Sequence, residues 1–376
     1  MKKFLVLLLA LCMTVSLVAC GGGDSSSEPA ASTPAGDAST PADDTSEPAA
    51  AGEELNIGVL VWKYDDAYGS TVRTAMTKYA EQLGTEMGYT INLDMQDAAD
   101  DFSKQVNQAE IMFANQPDFV IINLAEVQNG ARLVDLAKEY EVPFLMYNKE
   151  PSEDTVQEVI VDTGSIFIGT TPREAGDMQG EILADLYAAD PSIDLNGDGK
   201  LQYVMFVGEP SNPEAIARTK YSVETAEANG LTLERIGEDN IANWDQQQAM
   251  DQMTAILAAN PDAVEVVFAN NDMMGLGAVA ALNAADYNNG GDKNVVVIGV
   301  DAVDPALESI SQGGMTATVQ QDGDSMGLAN IRIAINGAKN VKWNGDKMEG
   351  DWLEGTDYQY SDDGYSVRIP YAKITG

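Results

Sequence analysis

From Leu55 onward the chain repeats one pattern: a short run of apolar, β-branched and aromatic residues followed by a longer amphipathic stretch. Strand-like runs fall at 56–62, 90–95, 119–124, 143–147, 165–169, 202–207, 232–236, 264–269, 295–300 and 316–320. Helical spacing fills the intervals at 71–83, 102–115, 132–140, 173–188, 213–229, 245–259 and 273–284. Most strand runs are apolar throughout instead of alternating, as strands covered on both faces require. Such β-α alternation predicts an α/β fold with parallel sheets sandwiched by helices. Some ten strands strain a single open sheet, so two doubly wound lobes are expected, one over about 54–148 and one over about 149–318. The segment beyond Lys342, with Trp343, Trp352 and a strand-like 365–369, predicts crossings back between the lobes and not a third domain.

The 376 residues are 44% hydrophobic, enough for a sizeable core. Against 21 Lys+Arg stand 60 Asp+Glu, a formal net charge of -39, which repels nucleic acid and anionic membrane surfaces. Nucleic acid is therefore excluded as a partner. Histidine is absent. That removes the commonest general base, the Ser-His nucleophile pairing and the usual zinc ligand, so an enzyme is not expected.

The first 19 residues have the form of a secretory signal: Lys2 and Lys3, an apolar run from Phe4, then Leu17-Val18-Ala19-Cys20. The last four resemble a bacterial lipobox. That resemblance implies cleavage before Cys20, lipid attachment to its sulfur and a place on the extracytoplasmic face of the cell membrane. Cys12 would leave with the signal, and a single acylated cysteine allows no disulfide. Residues 20–53 are Gly, Ser, Ala, Pro, Thr and Asp with almost no large apolar side chain, a composition that predicts a disordered tether. As a flexible coil it would span roughly 30 Å.

In doubly wound sheets ligands bind at the carboxyl ends of the strands. The residues there are polar and aromatic: Asp66 and Tyr68 after the first run, Asn123 after the third, and Asn212, Glu214 and Arg218 after the sixth. Asn271 follows the eighth, Asp301 the ninth and Gln321 the tenth, while Trp244 precedes the helix leading to the eighth. Carboxylates, amides and one arginine can satisfy hydroxyls that both donate and accept, and aromatic rings pack on C–H faces. Each residue alone has an ordinary explanation as a helix cap, a turn former or core. Their recurrence at the same end of successive strands predicts a monosaccharide site. Separately, Asp194-Leu195-Asn196-Gly197-Asp198-Gly199 has the opening spacing of an EF-hand loop, but the twelfth position is Met205, not the bidentate Glu.

Lys63-Tyr64-Asp65-Asp66, Ile122-Asn123-Leu124, Asn148-Lys149-Glu150-Pro151, Gly208-Glu209-Pro210, Ala269-Asn270-Asn271-Asp272 and Gly299-Val300-Asp301-Ala302 occur in order along the chain. Together they resemble the periplasmic galactose/glucose-binding proteins of the type I solute-binding family. The resemblance implies two lobes joined by a three-stranded hinge, closing on a monosaccharide. It assigns 54–148 plus 320–344 to the N-terminal lobe and 149–319 plus 345–376 to the C-terminal lobe. Sugar contacts then fall on Asp66, Tyr68, Asn123, Asn212, Glu214, Arg218, Trp244, Asn271, Asp301 and Gln321. The family has Phe where Tyr68 stands, His where Asn212 stands, Asp where Glu214 stands and Asn where Gln321 stands. Those departures leave a pentose or another epimer open, and the exchange of His for Asn212 predicts binding that is flat between about pH 6 and 8. The resemblance also completes the loop with a distant Glu265. A structural Ca²⁺ would be held by Asp194, Asn196, Asp198, Gln202, Glu265 and the Lys200 carbonyl, an all-oxygen set.

The implied role is the lipid-anchored sugar receptor of an ABC permease, acting as a monomer; a receptor that docks on a membrane chemosensor shares every pocket residue. A carboxylate pair such as Asp66 and Glu214 could in principle serve a glycosidase, but a pocket satisfying every hydroxyl needs those groups as acceptors.

Overall fold

The computed structural model describes residues 53–291 and 293–376. The signal segment, Cys20 and nearly all of the tether lie outside the described residues. The chain runs β1 (Glu53–Val61), α1 (Ala67–Met87), β2 (Tyr89–Asp97), α2 (Phe102–Ala114), β3 (Phe119–Ile122), α3 (Ala131–Glu139) and β4 (Phe144–Tyr147). It continues through β5 (Phe167–Gly169), α4 (Pro172–Ala189), β6 (Leu201–Val207), α5 (Pro213–Ala228), β7 (Leu233–Arg235), β8 (Asn240–Ile241) and α6 (Gln246–Ala259). Next come β9 (Val266–Ala269), α7 (Asp272–Ala284), β10 (Val296–Asp301), α8 (Asp304–Ser311), β11 (Ala317–Gln321) and α9 (Gly323–Asn340). The chain ends with β12 (Lys342–Asn344), β13 (Lys347–Glu349), β14 (Ser366–Arg368) and β15 (Tyr371–Thr375).

Two sheets form, as the alternation predicts. The first has the order β14-β5-β4-β3-β1-β2 and is parallel throughout. The second has the order β15-β11-β10-β9-β6-β7, with β8 also pairing to β6 and only β15 antiparallel. Every residue of β3, β4, β6 and β9 is buried, which is why these runs read as apolar without alternation. Strand order reverses at β2-β1-β3 and at β7-β6-β9, and ligand crevices open at such switch points. Helix starts are set by acidic or amide caps: Asp66, Asp101, Asn212, Asp245, Asn271 and Asp322 each accept a backbone N–H from the first turn.

The lobe boundaries differ from the sequence expectation. Strand β5 pairs with β4, and β14 pairs with β5 through Ser366↔Phe167, so 149–169 and 345–369 belong to the first lobe. Trp352 is buried in that lobe's core, edge-on to Phe119 at 5.9 Å. Only β15 returns to the second sheet. The chain therefore crosses between lobes three times, at 170–171, at Asp322 and at 369–370. Apolar runs announce strands locally, but which sheet a strand joins is a non-local pairing, and that is where the expectation erred. No described helix is long and apolar enough to cross a membrane.

Candidate binding site

Between the lobes lies a cavity of about 400 Å³, lined by Trp62, Asp66, Tyr68, Asn148, Lys149, Asn212, Glu214, Arg218, Trp244, Asn271, Asp301 and Gln321. Nine of the ten residues singled out from the sequence meet here. Three of them are indeed helix caps: Asp66 Oδ1 accepts from Gly69 N at 2.5 Å, Asn212 Oδ1 from Glu214 N at 2.8 Å and Asn271 Oδ1 from Met274 N at 3.0 Å. Capping and lining are compatible, because a cap engages one oxygen and its helix N-terminus already faces the cleft. Asn123 is the exception. It is buried behind the wall, its Oδ1 accepting from Lys149 N at 3.4 Å, so it braces the turn after β4 without lining the cavity.

Arg218 is the central cation. Its Nη1 donates to the Asn270 carbonyl at 2.7 Å and lies 4.0 Å from Asp301, while Nη2 reaches Glu214 Oε2 at 3.1 Å. Asp301, 8% exposed, has no nearer cationic partner among the described residues. Burial pushes its carboxyl well above the usual carboxylate range; Arg218 opposes that, while the charges of Asp272, Asp66 and Glu214 add to it. Asp66 is likewise raised by burial. Three buried polar atoms of the lining have no protein partner among the described residues: Tyr68 OH, Arg218 Nε and Trp244 Nε1. Orphaned groups of this kind are rare in folded proteins and call for a ligand or water. Asn148, Trp244 and Asp301 also hold positive φ angles of 61°, 66° and 118°, strain of the sort that gathers at binding sites. The indole of Trp244 lies so close over Gly208 that a Cβ there would fall 2.3 Å from its ring carbons.

Residues 57–340 match the profile of the family described as Periplasmic binding protein domain. A D-galactose/methyl-galactoside binding periplasmic protein from Haemophilus influenzae, MglB, is 33% identical over 319 residues, which is 85% of this chain and 88% of that protein. The chain belongs to the periplasmic binding protein family. A putative rhizopine-binding protein from Rhizobium meliloti is 29% identical over 284 residues, covering 75% of this chain and 84% of its own. Among solved structures, a Bacillus halodurans ABC transporter solute binding protein with bound myo-inositol aligns with TM-score 0.65 and 23% identity over 86% of this chain and 95% of that one. An Actinobacillus succinogenes counterpart with bound D-allose aligns with TM-score 0.67 and 18% identity over 86% and 97%. At those identities the structures establish the fold. As a periplasmic binding protein, the chain is an extracytoplasmic solute-binding protein of the ABC transporter kind and not an enzyme.

Sequence reasoning missed three lining residues of this binding protein. Trp62 directly follows β1, and its ring carries Lys149 Nζ 4.1 Å from the centroid. Asn148 and Lys149 follow β4, the same signal that selected the others, within a stretch already noticed for the family resemblance. Lys149 is 3% exposed; its Nζ donates to Ala125 O at 3.0 Å and pairs with Glu209 at 2.9 Å. Lys149 stands on the first lobe and Glu209 on the second, so the ion pair spans the cleft. Gln321 Nε2, donating to Asn148 Oδ1 at 3.3 Å, spans it as well.

The pH-flat expectation concerns the Asn212 contact alone; a buried carboxyl outside the cavity lining adds a separate titration. Asp272, fully buried at the start of α7, accepts from the Thr318 hydroxyl at 2.6 Å and from Val303 N at 3.0 Å. Burial pushes it up to about 7. Lack of histidine does not remove a titration from the neutral range when a carboxyl is buried this deeply.

The Asp194–Gln202 loop and Glu265 do come together: Glu265 Oε1 accepts from Asn196 N and Oε2 from Gln202 N, each at 3.1 Å. Asp194 oxygens accept from Gly197, Asp198 and Gly199 N–H groups, and Asp198 Oδ1 accepts from Lys200 N. The carboxylates are thus turned to the loop's own N–H groups. No cluster of three or more His, Cys, Asp or Glu side chains gathers at metal-binding range among the described residues.

Proposed function

We propose that this protein is the lipid-anchored, sugar-binding component of an ABC transporter and takes a monosaccharide, galactose or glucose before others, by closing its lobes. The supporting observation is the pairing of orphaned groups at Tyr68, Arg218 and Trp244 with the carboxylates of Asp66 and Asp301 around one cavity walled by two indoles. Hydroxyls would supply what each lacks, and the rings of Trp62 and Trp244 would pack on C–H faces. Galactose leads because the Haemophilus influenzae relative is described as binding it. The Glu214 and Gln321 departures lengthen two lining side chains and leave D-allose, D-ribose and myo-inositol as competitors. Calorimetry of the mature protein with these five ligands tests the reading. Saturable binding of one hexose supports it; no heat with any of them, in protein that melts cooperatively, refutes it. Anchoring through Cys20 predicts a diacylglyceryl mass increment on the mature chain, lost in Cys20→Ser.

The loop at 194–202 is, in this reading, a structural Ca²⁺ site. Its donors are all oxygen, which suits a hard cation. Glu265 is fully buried, burial raises its carboxyl with the charge of Asp194 adding to the effect, and no Lys or Arg pairs with it among the described residues. Binding would require the carboxylates to exchange some loop N–H groups for the cation. A melting midpoint that rises with Ca²⁺, falls with chelator and ceases to respond in Glu265→Gln supports the site; a midpoint indifferent to chelator disposes of it.

A further inference from the structure

We propose that Tyr371 and Thr170, which do not line the cavity, are positioning residues that hold the Glu214–Arg218 pair and tie cleft occupancy to the hinge. The inference rests on the solute-binding reading above. Arg218 and Glu214 are one turn apart on α5, both facing the cleft. Arg218 Nη2 lies 2.8 Å from Tyr371 OH, behind the lining, and 3.1 Å from Oε1 of Gln321, itself a lining residue. Glu214 Oε1 accepts from the Thr170 hydroxyl at 2.7 Å, and Glu214 Oε2 lies 2.9 Å from Tyr371 OH.

In one proton assignment Arg218 donates one Nη2–H to Tyr371 and shares the other between Gln321 and Glu214, Tyr371 donates to Glu214 Oε2, and Thr170 donates to Glu214 Oε1, which leaves the 2.9 Å approach of Tyr371 OH to the Thr170 hydroxyl without a hydrogen of its own. Thr170 lies on the first interlobe crossing, Gln321 borders the second at Asp322, and Tyr371 closes the third after Pro370. A single buried ion pair therefore touches all three. With one Nη1–H on Asn270 O and Nη2 on the hinge groups, Arg218 keeps its Nε–H and its second Nη1–H as donors for a ligand. The longer side chain of Glu214 also gains a role: its carboxylate is directed to the hinge hydroxyls, leaving Asp301 and Asp66 as the acceptors without a basic side chain hydrogen-bonded to them.

A shift of Arg218 on binding would strain its bonds to groups at the crossings, since members of a buried hydrogen-bond network polarise one another. The test uses the mature chain with Tyr371→Phe, Thr170→Val and the double variant. Tyr287→Phe serves as control, since its hydroxyl bonds to Asp262, away from all three crossings. Calorimetry with D-galactose and D-glucose should show each single variant losing about tenfold in affinity or more, the double losing less than the product, and the control unchanged. X-ray scattering without sugar should give a larger radius of gyration for Tyr371→Phe and Thr170→Val than for wild type, a readout that needs no ligand. Folded variants with wild-type affinity and wild-type dimensions overturn the inference. If the wild type binds no sugar, the function fails, and the scattering alone decides the hinge.

Discussion

At Gly208 a single hydrogen atom in place of a side chain lets Trp244 lie flat on the backbone after β6. Gly208→Ala puts a methyl 2.3 Å from the indole, so the ring must leave its place as a cavity wall. We expect about tenfold weaker sugar binding with little change in melting midpoint, measured by calorimetry and thermal unfolding. Asp272 gives a second residue-level prediction. In the unfolded chain it titrates near its ordinary value of about 3.9, and in the fold at about 7. Between those values the native state keeps a proton that the unfolded chain has released, so its contribution to stability is present at low pH and is lost as pH rises toward 7. Asp272→Asn should remove that component: the stability difference between pH 5 and pH 7 measured in urea should shift in the direction of greater stability at pH 7. An identical pH slope in variant and wild type would rule the assignment out.

Helices α8 and α9 show what local pattern fails to reveal. Ile331, Ile333 and Ile335 of α9 are all fully buried in the first lobe's core, with Met326 and Ala334 beside them. A helix buried on most sides, with Asn330 and Asn336 interrupting its apolar positions, lacks the clean two-faced pattern that makes an amphipathic element legible. Its contact with α1 is close because Gly327 has no Cβ: one added there would stand 2.4 Å from Ala75 Cβ and 2.9 Å from Met76 N. Gly327→Val should cost about 2 kcal/mol or more, since overpacking against backbone outweighs the helix propensity gained. Chemical denaturation measures it, and unchanged stability would mean that α1 and α9 can move apart freely. The strands were legible for the opposite reason. In β3, β4, β6 and β9 burial on both faces leaves uninterrupted apolar runs, and within a few residues of the ends of β4, β6 and β9 come Asn148, Asn212 and Asn271, which line the cleft.

Across the whole molecule, Lys149 of the first lobe meets Glu209 of the second. Burial pushes the Lys149 ammonium down from its ordinary value, and the facing Glu209 carboxylate opposes that shift. Opening the cleft would expose both groups to water, so the pair favours the closed form only while both charges are present. Glu209→Gln leaves a buried ammonium with a weaker partner, and we expect sugar affinity to fall by about tenfold and scattering to show a more open average. Unaltered affinity and dimensions would show that the ion pair is incidental to closure. The amino-acid sequence by itself determined the α/β class, nearly all strands of both sheets and nine of the residues that wall the cavity, because hydrophobic period and strand-end chemistry are local properties. Only the tertiary structure decided that β5 and β14 complete the first sheet, that Asn123 stands behind the wall while Trp62, Asn148 and Lys149 stand in it, and that one ion pair reaches all three crossings. Those facts depend on which distant segments pair and pack, and no window of sequence contains both partners.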